Sequence, residues 1–179
     1  AKNSGATSVT SNSVTGTPAK AAGAPQQLTM ILANGGISIR WKKPSESGGL
    51  KVGSYELQCR DSATTDTDSN WKTITNRQST NSENVISTVL DATSTEITLT
   101  KGNSYLCRVR MKSSIGSTNF AGTWATTASA LTFSSVPSAP TLTSVDTTTA
   151  TTKVTVTFNK STDDGGSEIT SYLASVVKK

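Results

Sequence analysis

The two cysteines, Cys59 and Cys107, are the chain's only thiols, and the sequence contains no histidine. Without histidine the commonest general base and the commonest zinc ligand are missing, and a cysteine nucleophile lacks its usual activating partner. The chemistry left to the pair is structural. Either they join in a disulfide, as an oxidising compartment would favour, or they remain two small buried thiols acting as apolar filler. "DTDSN" at 66–70 sets Asp66, Asp68 and Asn70 at the alternate spacing of a calcium loop. The helix-loop form of that site needs Gly at its sixth position and Glu at its twelfth, where this chain has Trp71 and Arg77. A polar turn is therefore expected there, and "DDGG" at 163–166 is likewise read as a loop. No metal or cofactor is expected, and no catalysis. "NKS" at Asn159 is a glycosylation sequon of the kind a Ser/Thr-rich chain produces by chance.

A second group, Arg60, Arg108, Arg110 and Lys112, acquires meaning only from the elements that carry it. "YELQCR" at 55–60 alternates with a period of two, which sends Tyr55, Leu57 and Cys59 inward and Glu56, Gln58 and Arg60 outward. "YLCRVRMK" at 105–112 does the same, with Tyr105, Cys107, Val109 and Met111 inward and the three cations outward. If the cysteines face each other on neighbouring strands, Glu56 faces Arg110. The four cations then share the outer face of one sheet. Such a ridge could hold a polyanion, for example a sulphated or acidic glycan, through charge-assisted hydrogen bonds. The alternative is an ordinary solvated face, partly neutralised by Glu56. Trp124, after the turn-rich "GSTNFAG", is either presented for recognition or packed on an edge.

Further alternating segments complete the pattern. "ISIRW" at 37–41 buries Ile37, Ile39 and Trp41; "NWKTI" (70–74) and "EITLT" (96–100) read as shorter strands, and "TWATTASALTF" (123–133) closes the set. About seven short strands separated by Gly, Ser and Asp turns predict an all-β antiparallel sandwich. Composition agrees: Ser and Thr make up about a third of the 179 residues, and charged residues only 16%. Thr, being β-branched, suits a half-exposed pleated surface. The net charge of +5 is scattered, so no nucleic-acid stripe is formed. No apolar run is long enough to insert in a membrane.

The sequence also repeats itself. "SIRWKKPSESGGLKVGSYEL" (38–57) overlays "TVTFNKSTDDGGSEITSYLA" (155–174) without a gap, matching Trp41 with Phe158, Gly48–Gly49 with Gly165–Gly166, and Tyr55 with Tyr172. Upstream, Pro25 matches Pro140 with a drift of two residues, as a variable loop would give. Residues 1–25 follow the residue order of 110–140, so residues 1–18 read as the last hairpin of a preceding unit. The expected organisation is that C-terminal piece, a connector at 19–25, a complete unit over 24–134, a connector at 135–140, and the N-terminal half of a following unit over 137–179. That half is expected to supply three strands.

The complete unit resembles a fibronectin type III domain. The residues carrying the resemblance are Pro25, Trp41, Gly48–Gly49 and Tyr55, then Leu99, Gly102 and Tyr105, with Val109 and the exit prolines Pro137 and Pro140. It implies a sandwich in which Tyr105 forms a tyrosine corner, its hydroxyl bonded to backbone a few residues upstream. One departure is the long stretch between Trp71 and Glu96, within which "NVISTVL" (84–90) is expected as an extra edge strand. The resemblance further implies a structural or adhesive spacer in an extracellular or cell-surface array. The alternatives are a subunit of a filament or phage particle assembled through strand edges, and an accessory module of a secreted glycan-degrading enzyme. The expected partners are neighbouring units of the same longer chain, with copies of itself or surface glycans as further candidates.

Overall fold

The computed structural model describes residues 4–7, 12, 16, 18–33, 35–51, 53–74, 79–80, 85–91, 94–147 and 153–177. Most of residues 1–18, read as the end of a preceding unit, therefore lies outside the described residues. Among those described, the chain is built from antiparallel strands and a single 3-10 turn.

Two sheets face each other in the complete unit. The first runs β1 (Gln26–Ala33), β2 (Gly36–Lys42), β6 (Val85–Asp91), β5 (Ser79–Thr80). The second runs β10 (Leu131–Thr132), β7 (Ser104–Ile115), β3 (Ser54–Asp61), β4 (Lys72–Ile74), with β8 (Thr118–Ala121) and β9 (Ala125–Thr126) also paired to β7. Between them lie Ile37, Ile39 and Trp41 from β2, Ile86 and Leu90 from β6, and Leu57, Cys59, Tyr105, Cys107, Val109 and Met111 from β3 and β7. The alternating residues read as inward on β2, β3 and β7 are therefore the core. Trp41 is fully buried and meets Tyr55 edge-on across the two layers, with ring centroids 5.6 Å apart. The architecture is the antiparallel β-sandwich that the period-two pattern predicts.

Tyr105 is buried, and its hydroxyl accepts a hydrogen bond from the Thr100 amide at 2.7 Å and donates to the Thr98 carbonyl at 3.2 Å. This corner overturns one expectation. Residues 96–100 do not form a strand: their backbone groups serve the Tyr105 hydroxyl, while Ile97 and Leu99 pack against the core. Two apolar residues spaced by two look like a strand whether or not a partner strand lies beside them. The strand at this point of the sheet is β6 instead, the segment expected as an extra edge. It pairs with β2 over seven residues, from Gly36↔Asp91 to Lys42↔Val85, and stands in the sheet interior between β2 and β5. Residues 75–78, 81–84 and 92–93 of the long stretch around it lie outside the described residues.

The C-terminal part holds one hairpin, β11 (Thr141–Asp146) with β12 (Thr155–Asn159). The expected third strand is absent from 161–177. In the complete unit the matching strand, β3, lies between β7 and β4, and nothing in the described C-terminal residues offers Tyr172 such neighbours. The aromatic pairing is kept all the same: Phe158 and Tyr172 have ring centroids 5.1 Å apart, against 5.6 Å for Trp41 and Tyr55 at the matched positions.

The connector at 19–25 runs along the complete unit. Lys20 N donates to Gly48 O at 3.0 Å, Gly23 N to Glu46 O at 2.9 Å, and Thr123 N to Ala22 O at 3.0 Å, while the Ala22 side chain is buried. The second connector makes the same first two bonds to the matched loop, Ser135 N to Gly165 O at 2.8 Å and Ser138 N to Asp163 O at 2.9 Å.

Candidate functional site

Strands β3 and β7 pair from Ser54↔Lys112 to Asp61↔Tyr105, which sets Cys59 opposite Cys107 and Glu56 opposite Arg110. The cysteines are bonded as a disulfide between neighbouring strands, fully buried, closing a loop with a sequence separation of 48. Local geometry explains why it fits. Cys107 exchanges its backbone bonds with Thr127 on the other side, N to Thr127 Oγ1 at 3.2 Å and O from Thr127 N at 2.9 Å. Toward β3 the pair is therefore a non-hydrogen-bonded one, the kind that brings opposed side chains closest. Of the two readings the sequence left open, the disulfide is the one present.

The outer face of this sheet carries the four cations, and each is already engaged. Arg110 bonds Glu56 Oε2 through Nε at 2.9 Å and through a terminal nitrogen at 2.8 Å, and Lys112 lies 3.9 Å from the same oxygen. Arg108 donates to Gln58 Oε1 at 2.8 Å and to Asp68 Oδ1 at 2.9 Å. Gln58 in turn donates to Glu56 Oε1 at 3.2 Å and Thr73 Oγ1 at 3.1 Å. Arg60 is on the predicted face but is not exposed. Trp71 and the turn after β3 cover it, and its Nη1 donates to the carbonyls of Asp61, Ser62 and Thr64. That turn is held by the short 3-10 segment η1 (Asp68–Asn70) and by the Trp71 indole N–H, which donates to Asp66 Oδ1 at 2.7 Å.

The two tryptophans join these cations into one stack. Arg60 lies 5.1 Å and Arg108 4.5 Å from the Trp71 ring centroid, and Arg108 and Arg110 lie 4.4 and 4.3 Å from that of Trp124. The order is Arg60, Trp71, Arg108, Trp124, Arg110. A guanidinium above an indole gains from the ring quadrupole and from its own weak hydration, about 0.5–2 kcal/mol per contact. Asp66 and Asp68, half of a calcium pattern in the sequence, are spent on this stack. Among the described residues no group of three or more His, Cys, Asp or Glu could hold a metal ion.

The stack changes what the face can do. A polyanion would have to displace Glu56 and Asp68 from guanidiniums they already neutralise, and a sugar ring would have to displace an arginine to reach either indole. The arrangement is a clasp that ties β3, β7, the turn at 61–71 and the segment around Trp124 together. The sequence placed the cations correctly but missed the stack, whose signal was two tryptophans flanking two strands with outward arginines at every second position.

An apolar cleft of about 380 Å³ lies elsewhere, on the C-terminal part, lined by residues that include Leu142, Val156, Phe158, Tyr172 and Leu173. Of these, Val156, Phe158 and Tyr172 match the inward Ile39, Trp41 and Tyr55 of the complete unit, whereas Leu173 matches the outward Glu56. Leu142 is 61% and Leu173 97% exposed. Asn159, the sequon residue, is exposed at the end of β12. Among the described residues no helix is long and apolar enough to cross a membrane. Comparison with known protein families and with curated proteins finds nothing that matches this chain.

Proposed function

We propose that the chain is a stretch of a tandem array of fibronectin type III-like units, with a structural, spacing or adhesive duty outside the cell and without catalysis. The observation that carries this reading is a repeated bond pattern. The two linker-to-loop hydrogen bonds recur at matched positions, Lys20–Gly48 and Gly23–Glu46 in one place, Ser135–Gly165 and Ser138–Asp163 in the other, and the aromatic pair recurs with them. Sequence similarity alone need not preserve backbone bonds between a linker and a loop. A buried disulfide suits an oxidising compartment, and the clasped outer face suits a module that is a rigid spacer first. Antibodies raised against residues 24–134, used for immunogold labelling of intact cells or particles, test it. Label on surface projections is the expected result; label confined to the cytoplasm overturns it.

A second reading, assembly of copies through strand edges into a filament or a virus or phage particle, is favoured by the open apolar face around Leu142, Phe158 and Leu173. Sedimentation of the purified chain separates the two. Polymers growing with concentration favour assembly, and a monomer favours the array.

A further inference from the structure

The Asp163–Gly166 loop does more than bond its own linker. It reaches back to the complete unit, where Asp163 forms an ion pair with Lys101 and Gly166 lies against Gly102. A Cβ at Gly166 would fall 2.5 Å from Gly102 N and 2.9 Å from the Lys101 carbonyl carbon, and one at Gly165 would fall 2.1 Å from Ser135 O. Both glycines have positive φ, 74° at Gly165 and 84° at Gly166, so conformation and space each demand glycine. The corner they meet is itself fixed. Gly102 N donates to Phe133 O at 2.9 Å and Phe133 N to Asn103 O at 2.8 Å, tying the corner to the last core strand segment. On the other side, Asp163 N donates to Ser138 Oγ at 3.2 Å, and Gly165 N to Asp163 Oδ1 at 2.8 Å.

We infer that the Asp163–Gly166 loop is a docking surface that seats the C-terminal part on the Lys101–Gly102 corner, holding consecutive units at a fixed angle. The name "consecutive units" rests on the array reading, but the contact is between two parts of this chain and stands apart from where the protein resides. The matched loop of the complete unit, Glu46 to Gly49, makes the same bonds to its own linker and leaves Gly49 exposed with φ 78°. It presents the equivalent surface on the opposite side. The partner that fits it is a tight turn carrying a lysine beside a small residue, as Lys101–Gly102 does.

Residual dipolar couplings of the ¹⁵N-labelled full chain test the joint. The expected result is one alignment tensor for residues 24–134 and 135–177. Gly166→Ala is expected to split it into two tensors while the amide signals of β2, β3, β6 and β7 stay in place. If that variant also disrupts the β11–β12 hairpin, Lys101→Glu, which sets like charges together without touching the loop backbone, is expected to split the tensor instead. Independent alignment of the two parts in the unmodified chain, couplings averaged to zero over 137–177, or a common tensor kept in both variants overturns the joint. The surface-labelling result is unaffected by any of these.

Discussion

Glu56 is the residue on which the outer face turns. Its side chain is only 14% exposed and one of its oxygens serves both Arg110 and Lys112. Glu56→Gln removes the charge and keeps the shape, leaving two cations without their carboxylate. Bonds to charged groups are worth about 1.5–3 kcal/mol, so a loss of that order is expected in a urea titration. Retention on a sulphated-polysaccharide column should rise in the same variant, because Arg110 and Lys112 become available. A polysaccharide that already binds the unmodified chain tightly at physiological salt would show that the carboxylates are easily displaced. Trp124→Ala should cost about 1–2 kcal/mol through the two lost arginine contacts, measured against the double variant with Arg108→Ala to isolate the coupling. The outward placement of Arg108, Arg110 and Lys112 was legible because alternation alone sets it. The burial of Arg60 was not, since it depends on Trp71 folding back from the next turn, and a period-two pattern carries no information about what a loop covers.

At the scale of elements, β2, β3 and most of β7 were legible because each buries one face against the other sheet and leaves its partner face polar; the end of β7, Ser113–Ile115, which pairs with β8, was not. Alternation put Cys59 and Cys107 on the inward face, but their direct opposition stayed conditional in the sequence, because a slip of two residues keeps the same faces. β6 and the 96–100 segment were misread in opposite directions. Ile97 and Leu99 imitate a strand while serving the Tyr105 corner, and "NVISTVL" (84–90) was assigned to an extra edge because it falls in a stretch longer than the resemblance implies. Which of two neighbouring apolar segments pairs with β2 is decided by the tertiary register, not by either segment alone. The core predicts a large effect for Trp41→Ala: truncating a fully buried Trp costs about 3–5 kcal/mol, and thermal melting should show a complete unit that is barely folded. The disulfide makes a separate mechanical prediction. When one unit is pulled by its ends, the stretch between Cys59 and Cys107, a sequence separation of 48, stays hidden while the bond is intact. Reduction should lengthen the unfolding step by roughly 160–170 Å, at about 3.3–3.6 Å per residue. An unchanged step would mean the thiols are free in the molecule being pulled. At equilibrium, a closed loop of this size is worth about 4 kcal/mol by chain entropy, which Cys59→Ser with Cys107→Ser should forfeit.

At the scale of the whole molecule, on the proposed array reading, the connectors decide whether such an array would be a rod or a chain of beads. Pro137 and Pro140 alone would stiffen the second connector, but the bonds of Ser135 and Ser138 to the 163–165 loop anchor it in addition. The Lys101–Asp163 pair is the part of this contact that responds to solution conditions. The Lys101 side chain, and after it the Gly165 amide, hold the Asp163 carboxyl below its ordinary value of 3.8. A carboxyl depressed in this way contributes above its ordinary range, and the contribution is lost only as pH falls through the lowered value. Between pH 4 and neutrality, then, the pair stays formed, and the joint should not change with pH. Salt acts differently, because both partners are partly exposed and an exposed pair is screened. The expected outcome at 1 M NaCl is a joint that still holds, since the backbone bonds to the connector and the Gly166–Gly102 contact do not depend on charge. Strong acid, which protonates Asp163 and removes the same pair, should likewise leave the joint closed, alone or with high salt. Small-angle scattering of the full chain across this grid measures it as the maximum dimension and its spread. A chain that broadens at neutral pH on salt alone would mean that the ion pair, not the glycine packing, holds the angle, and Lys101→Glu would then be the stronger of the two variants.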